Sequence, residues 1–124
     1  MKVQLALGMT IGLGTLGVYV LHAQVKPPIY YIAEVDVIDL DGYMKEFVPK
    51  AATTAQGYGG RTLAAGQKVT AIEGTQPKNR VVLIRWDSLE QLRAWRDSAQ
   101  YKEDRKIGDK YAASVRAFAI EGLP

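Results

Sequence analysis

The segment Arg80-Val-Val-Leu-Ile-Arg-Trp86 constrains the fold most, because it runs into Asp87-Ser88-Leu89-Glu90 with no loop between. The first stretch has the composition of a buried strand. Asp87 or Ser88, followed by an acid or amide three places on, has the pattern of a helix start. Leu89, Leu92, Trp95 and Ala99 then fall on one helical face. A strand that turns at once into an amphipathic helix implies a sheet for that helix to lie on.

The preceding residues supply more of that sheet. Ile29 to Val37 reads as a strand with Tyr30, Ile32, Glu34 and Asp36 on one face. Tyr31, Ala33, Val35 and Val37 make the other, better core face. Asp39-Leu40-Asp41-Gly42 forms a turn and cap, and Tyr43, Phe47, Ala51 and Thr54 or Ala55 form the buried stripe of a helix. Pro49 is an awkward interior residue that predicts a kink or a split. Gly57-Tyr58-Gly59-Gly60 stops the helix; it follows a helix rather than a strand and lacks a phosphate-loop ending.

Arg61 to Ala65 and Val69 to Glu73 read as two short extended segments around Gly66-Gln67, paired as a hairpin or with one of them irregular. Past Trp95, a second helical piece is predicted over Tyr101 to Ala113, weakened in its middle by Gly108. Ser114 to Glu121 closes the domain as a strand, with Val115, Ala117 and Ala119 alternating with Arg116, Phe118 and Ile120. The element order predicts an α+β fold, a ferredoxin-like split βαβ sandwich with helices on one sheet face. Tyr30, Ile32, Phe118 and Ile120 would then share the uncovered face, and a homodimer is the expected way to cover it.

The N-terminus has a different character. Lys2, the apolar run from Leu5 to Leu21, and Ala23 stand in the order of a secretory signal cleaved after Ala23. Residues 1–23 are thus a signal peptide or, uncleaved, an inner-membrane anchor formed by residues 5–21. Residues 24–28 are a stiff lead-in and 29–122 the domain. The expected location is periplasmic or secreted. Contact with a membrane is expected only if the signal stays attached.

The chain has no cysteine, and its single histidine is His22, inside the signal. A mature domain without either residue cannot build the usual zinc, copper or haem ligation, a disulfide, or a histidine-based triad. No metal and no cofactor are expected, and only a hard cation held by carboxylates is left open. The formal charge of +3 falls by one on losing Lys2, and acids and bases are interspersed. No basic cluster points to nucleic acid.

Several segments together resemble one family: Gly59-Gly60-Arg61-x-Leu63 with Gly66, Glu73-Gly74, Arg80 to Ile84, Asp87-Ser88-Leu89-Glu90, Trp95-x-x-Ser98-x-x-Tyr101 and Glu121-Gly122. The combination, over Ile29 to Gly122, is similar to the DUF1330 family. That resemblance implies the dimeric α/β-barrel group of ferredoxin-like folds, which includes small monooxygenases, muconolactone isomerases and EthD-like proteins. It implies no established activity. Arg96 stands where an aromatic residue commonly follows the tryptophan, and Ala99 replaces a common proline.

Candidate ligand-binding residues are Tyr30, Glu34, Arg61, Arg85, Trp86, Trp95 and Arg116. The arginines suit a carboxylate or phenolate held between sheet and helices, or else pair with Glu34, Asp36 or Glu73 at sheet edges or in a dimer seam. Glu34 and Asp36 would serve as acid and base only if burial shifted one of them. Trp86 and Trp95 wall a cavity or simply fill the core. Ser88 reads as a cap. The expected function is a small exported dimer that binds a small organic ligand or acts as an accessory protein. The alternatives are a cofactor-free monooxygenase- or isomerase-like enzyme on a small aromatic or carboxylated molecule, and a structural interaction protein.

Overall fold

The computed structural model describes residues 26–124; the expected signal or anchor at residues 1–23, with His22, lies outside them. The element order is β1 (Ile29–Val37), α1 (Leu40–Gly42), a π-helical turn (Tyr43–Phe47), α2 (Val48–Gly57), β2 (Arg61–Gly66), β3 (Arg80–Trp86), α3 (Leu89–Asp97), α4 (Ala99–Gly108) and β4 (Ala112–Glu121). The strands form one antiparallel sheet in the order β2-β3-β1-β4. This is the ferredoxin-like α+β arrangement that the element order predicts.

Register divides the sheet into two faces. Tyr31 pairs with Ile84, Ala33 with Val82 and Val35 with Arg80, and these side chains lie beneath the helices. On the open face Tyr30 lies between Arg85 and Ile120, Ile32 between Leu83 and Phe118, and Glu34 between Val81 and Arg116. Arg61, opposite Arg85, extends the first of these rows.

The main core gathers Tyr31, Ala55, Ile84, Trp86, Leu92, Trp95 and Tyr101. Trp95 is its hub, with ring centroids 5.1 Å from Trp86, 5.3 Å from Tyr31 and 4.8 Å from Tyr101. Truncating such a buried aromatic ring costs about 3–5 kcal/mol. Trp86 is 0% exposed, and a Cβ on Gly60 would sit 2.7 Å from its ring, so only glycine fits there.

The structure decides two points that the sequence left open and differs from the sequence expectation at two others. Of the two extended segments, Val69 to Glu73 is the irregular one. The side chain of Gln76 takes its backbone groups instead, donating to the Val69 carbonyl at 2.6 Å and accepting from Ala71 N–H at 3.0 Å. Pro49 marks a change of helix type, in line with the expected kink or split. It occupies the first turn of α2, just after the π-helical turn, where Val48 N–H reaches back to the Tyr43 carbonyl. The wider turn absorbs the hydrogen bond that proline cannot donate.

The second helix ends at Gly108, and Ala112 and Ala113 belong to β4. Leu89 and Ala99 are exposed rather than on the apolar face, because Ser98 breaks the helix between Trp95 and Tyr101. Its hydroxyl donates to the Trp95 carbonyl at 2.7 Å and accepts from Tyr101 N–H at 3.1 Å, closing α3 and capping α4.

Candidate functional site

A cavity of about 160 Å³ lies between the helix-covered sheet face and the π-helical turn, α2 and α4. Its cause is a contrast in side-chain size. Ala33, Val35 and Val82 form a low floor, and Ala51, Ala52 and Ala55 a shallow roof. Larger rings at the margins (Tyr31, Tyr43, Phe47, Trp95 and Tyr101) prop the layers apart. The π-helical turn sets Tyr43 and Phe47 on the wall together, with centroids 4.9 Å apart. Gly108 lets α4 close over Phe47, since a Cβ there would stand 2.7 Å from that ring.

The polar groups on the wall are few. Burial raises the pKa of the Tyr31 hydroxyl, against the opposing charge and hydrogen bond of Arg96. Burial likewise raises that of Tyr43, against Arg80 and Arg105. Both phenols are neutral near pH 7 and act as hydrogen-bonding groups rather than bases. For Arg105, burial opposes the charge, but hydrogen bonds to Asp109 (2.8 Å) and to the Tyr101 hydroxyl (3.1 Å) outweigh it, and its pKa lies above the ordinary value.

Arg80 is placed differently. It is 5% exposed, and its guanidinium lies 5.7 Å from the Tyr43 ring centroid. Among the described residues its Nη1 reaches only the Met44 thioether, at 3.7 Å, and its Nε has no hydrogen-bond partner. Among the described residues it pairs with no carboxylate.

Of the residues singled out in the sequence, Trp95 lines the cavity and Trp86 backs it from the core. Tyr30, Glu34, Arg61, Arg85 and Arg116 are on the opposite face of the sheet. The arginines expected between sheet and helices are therefore not those of the cavity. Arg116 Nη2 lies 3.6 Å from Glu34 Oε1, and Arg85 pairs with Asp87 at 3.4 Å. Glu34 is only 8% exposed, although its face carries no helix.

The cations of the wall are Arg80 and Arg105, which the sequence reading passed over. For Arg80 a signal was present: it shares strand parity with Ile84 and Trp86, whereas Arg85 has the opposite parity. A second depression between α2 and α4 is open to solvent. Asp104 at its base, 2% exposed, already accepts from Thr54 and, at 3.0 Å, from Gln100. The bond from Thr54 joins the two helices, and that from Gln100 lies within α4.

A family model described as Domain of unknown function (DUF1330) matches residues 28–123. Among curated protein sequences none matches the chain. Several solved structures share its fold, among them these three. RPA0582, a protein of unknown function from Rhodopseudomonas palustris, is 17% identical over 80% of this chain and 85% of its own, with a TM-score of 0.62. SnoaB, a cofactor-independent oxygenase from Streptomyces nogalater, is 8% identical over 79% of this chain and 95% of its own, with a TM-score of 0.58. A dimeric protein of unknown function and ferredoxin-like fold from Bacteroides fragilis is 11% identical over 76% of this chain and 95% of its own, with a TM-score of 0.54. At these identities the likeness is one of fold alone.

Proposed function

This chain belongs to the DUF1330 family, and from that premise we propose that it is an exported homodimer that binds a small organic molecule between its sheet and its helices. One observation carries the reading: a mostly apolar cavity with a few polar groups on its wall, the usual make-up of a small-molecule site.

Two further features support the assembly and the location. Phe118 is 50% and Ile120 59% exposed, next to Tyr30 and Ile32 on a sheet face that no helix covers. A second copy would bury that surface, and one fold neighbour is described as dimeric. The basic, apolar and small-residue order of residues 1–23 supports export to the periplasm or beyond.

The enzyme reading, a cofactor-free monooxygenase or isomerase, draws support from the oxygenase among the fold neighbours. It needs a proton acceptor in the cavity. Tyr31 and Tyr43 hold their protons more tightly than free phenols, and Asp109, the carboxylate on the wall, is held by Arg105. Binding is therefore the better reading.

Native mass spectrometry of protein recovered from the periplasm of an expressing bacterium tests it. The expected result is a dimer of the cleaved chain with a small organic adduct on each protomer. A monomer would overturn the assembly. A dimer free of adduct, whose melting temperature no small organic compound raises, would overturn the binding function.

A further inference from the structure

Two residues of the cavity wall keep a buried nitrogen without a partner among the described residues, Arg80 at Nε and Trp95 at Nε1, and only Arg80 carries a charge. Arg80 is 5% exposed and lines the wall, yet its Nε donates to nothing and no carboxylate among the described residues neutralises it. Among the described residues, the Tyr43 ring and the Met44 sulfur lie against it. A buried cation without a counter-charge is unfavourable, and proteins rarely keep one away from a metal, a ligand or a partner. Arg105 on the same wall shows the ordinary solution, a carboxylate at 2.8 Å.

We propose that Arg80 is the anion-recognising residue of this cavity and that the ligand class is monocyclic carboxylates. The inference rests on the binding function proposed above and gives it a chemical class. A guanidinium matches the two oxygens of a carboxylate in plane and charge. A cavity of about 150 Å³ holds a benzene-sized molecule, so the 160 Å³ here suits a single ring. Ala33 and Val82 offer that ring an apolar floor, and Phe47 and Trp95 offer it aromatic edges.

Benzoate and benzyl alcohol are the probes, a matched anion and neutral ring, titrated calorimetrically into the full mature protein. Benzoate is expected to bind roughly 10- to 100-fold more tightly, the usual worth of a charged hydrogen bond. Arg80→Met is expected to abolish that preference while still taking up benzyl alcohol. Its ligand-free melting temperature should match or exceed that of the parent, because the substitution removes an unmatched charge; a purely structural arginine would lower it.

Equal affinity for the two probes overturns the role of Arg80 and leaves the cavity as a binding site for neutral rings. Binding of neither probe overturns the carboxylate class and the role of Arg80, and the binding function then falls only with the adduct and melting test above. Persistence of the benzoate preference in Arg80→Met also overturns the assignment. Should Arg80→Met fail to fold, Arg80→Lys decides: benzoate alone should weaken, and equal weakening of both probes overturns the proposal.

Discussion

Arg96 Nη1 donates a hydrogen bond of 2.7 Å to the Tyr31 hydroxyl, tying α3 to the first half of β1. The same guanidinium lies 5.8 Å from the Tyr31 ring centroid and 4.9 Å from that of Tyr101. Arg96 stands where the family resemblance places an aromatic residue, and its flat cation takes that place within the ring cluster.

Replacing it with leucine should therefore do more than remove a surface charge. Arg96→Leu loses a charge-assisted hydrogen bond and two ring contacts, and leaves the Tyr31 hydroxyl without its donor. The expected loss of unfolding free energy is about 1–3 kcal/mol in urea titration. A change within about 0.5 kcal/mol would mean that Arg96 acts as an ordinary exposed side chain.

Alkaline pH should weaken the fold through two phenols. Burial raises both Tyr31 and Tyr43 above the ordinary value of 10.0. Between that value and the folded pKa, the unfolded chain releases phenolic protons that the native state still holds. This contribution is full below pH 10.0 and is lost as pH rises through the folded pKa, at up to about 1.4 kcal/mol per pH unit for each group. Unfolding free energies at pH ~8 and ~11 should differ less in the Tyr31→Phe, Tyr43→Phe double variant than in the parent. Equal differences would remove the phenols from the account.

Gly108 sets the height of the cavity. A Cβ there would meet the Phe47 ring at 2.7 Å, so Gly108→Ala must move Phe47 or α4. We expect a stability loss of about 1–3 kcal/mol, together with weaker uptake of a ring-sized ligand in calorimetry. Unchanged ligand affinity would separate the Phe47 wall from the binding site.

The open sheet face should respond to charge. Phe118→Glu places a carboxylate beside Ile32 and Ile120, which a folded monomer tolerates and an apolar dimer interface does not. Light scattering should show a monomer, with the dimer dissociation constant raised roughly a hundredfold, about 2.8 kcal/mol. A dimer of unchanged affinity would place the interface elsewhere.

Much of the framework could be read in advance because it rests on local rules. Strand parity in β1 put Tyr31 and Val37 against the helices, and the Ser88 cap opened α3 where the sequence marked it. Which of the two extended segments would pair was left open because strand propensity says nothing of a partner, and for Val69 to Glu73 the side chain of Gln76 took the backbone groups instead. The candidate arginines were chosen for lying in strands, but composition does not say which sheet face will be roofed. Arg61, Arg85 and Arg116 fell on the bare side, and Arg80, at a strand's first residue, fell beneath the helices.

What the sequence determined by itself was the order of elements and the two faces of each strand, since periodicity and capping act between residues close along the chain. Tertiary structure alone decided which face became a cavity. That outcome needs Ala33 and Val82 from the sheet, Phe47 from the π-helical turn and Gly108 from α4 to meet at one point, with rings too wide to collapse onto the small residues between them. Such a gap is a property of packing among distant segments, and so is the unpaired charge of Arg80 on its wall.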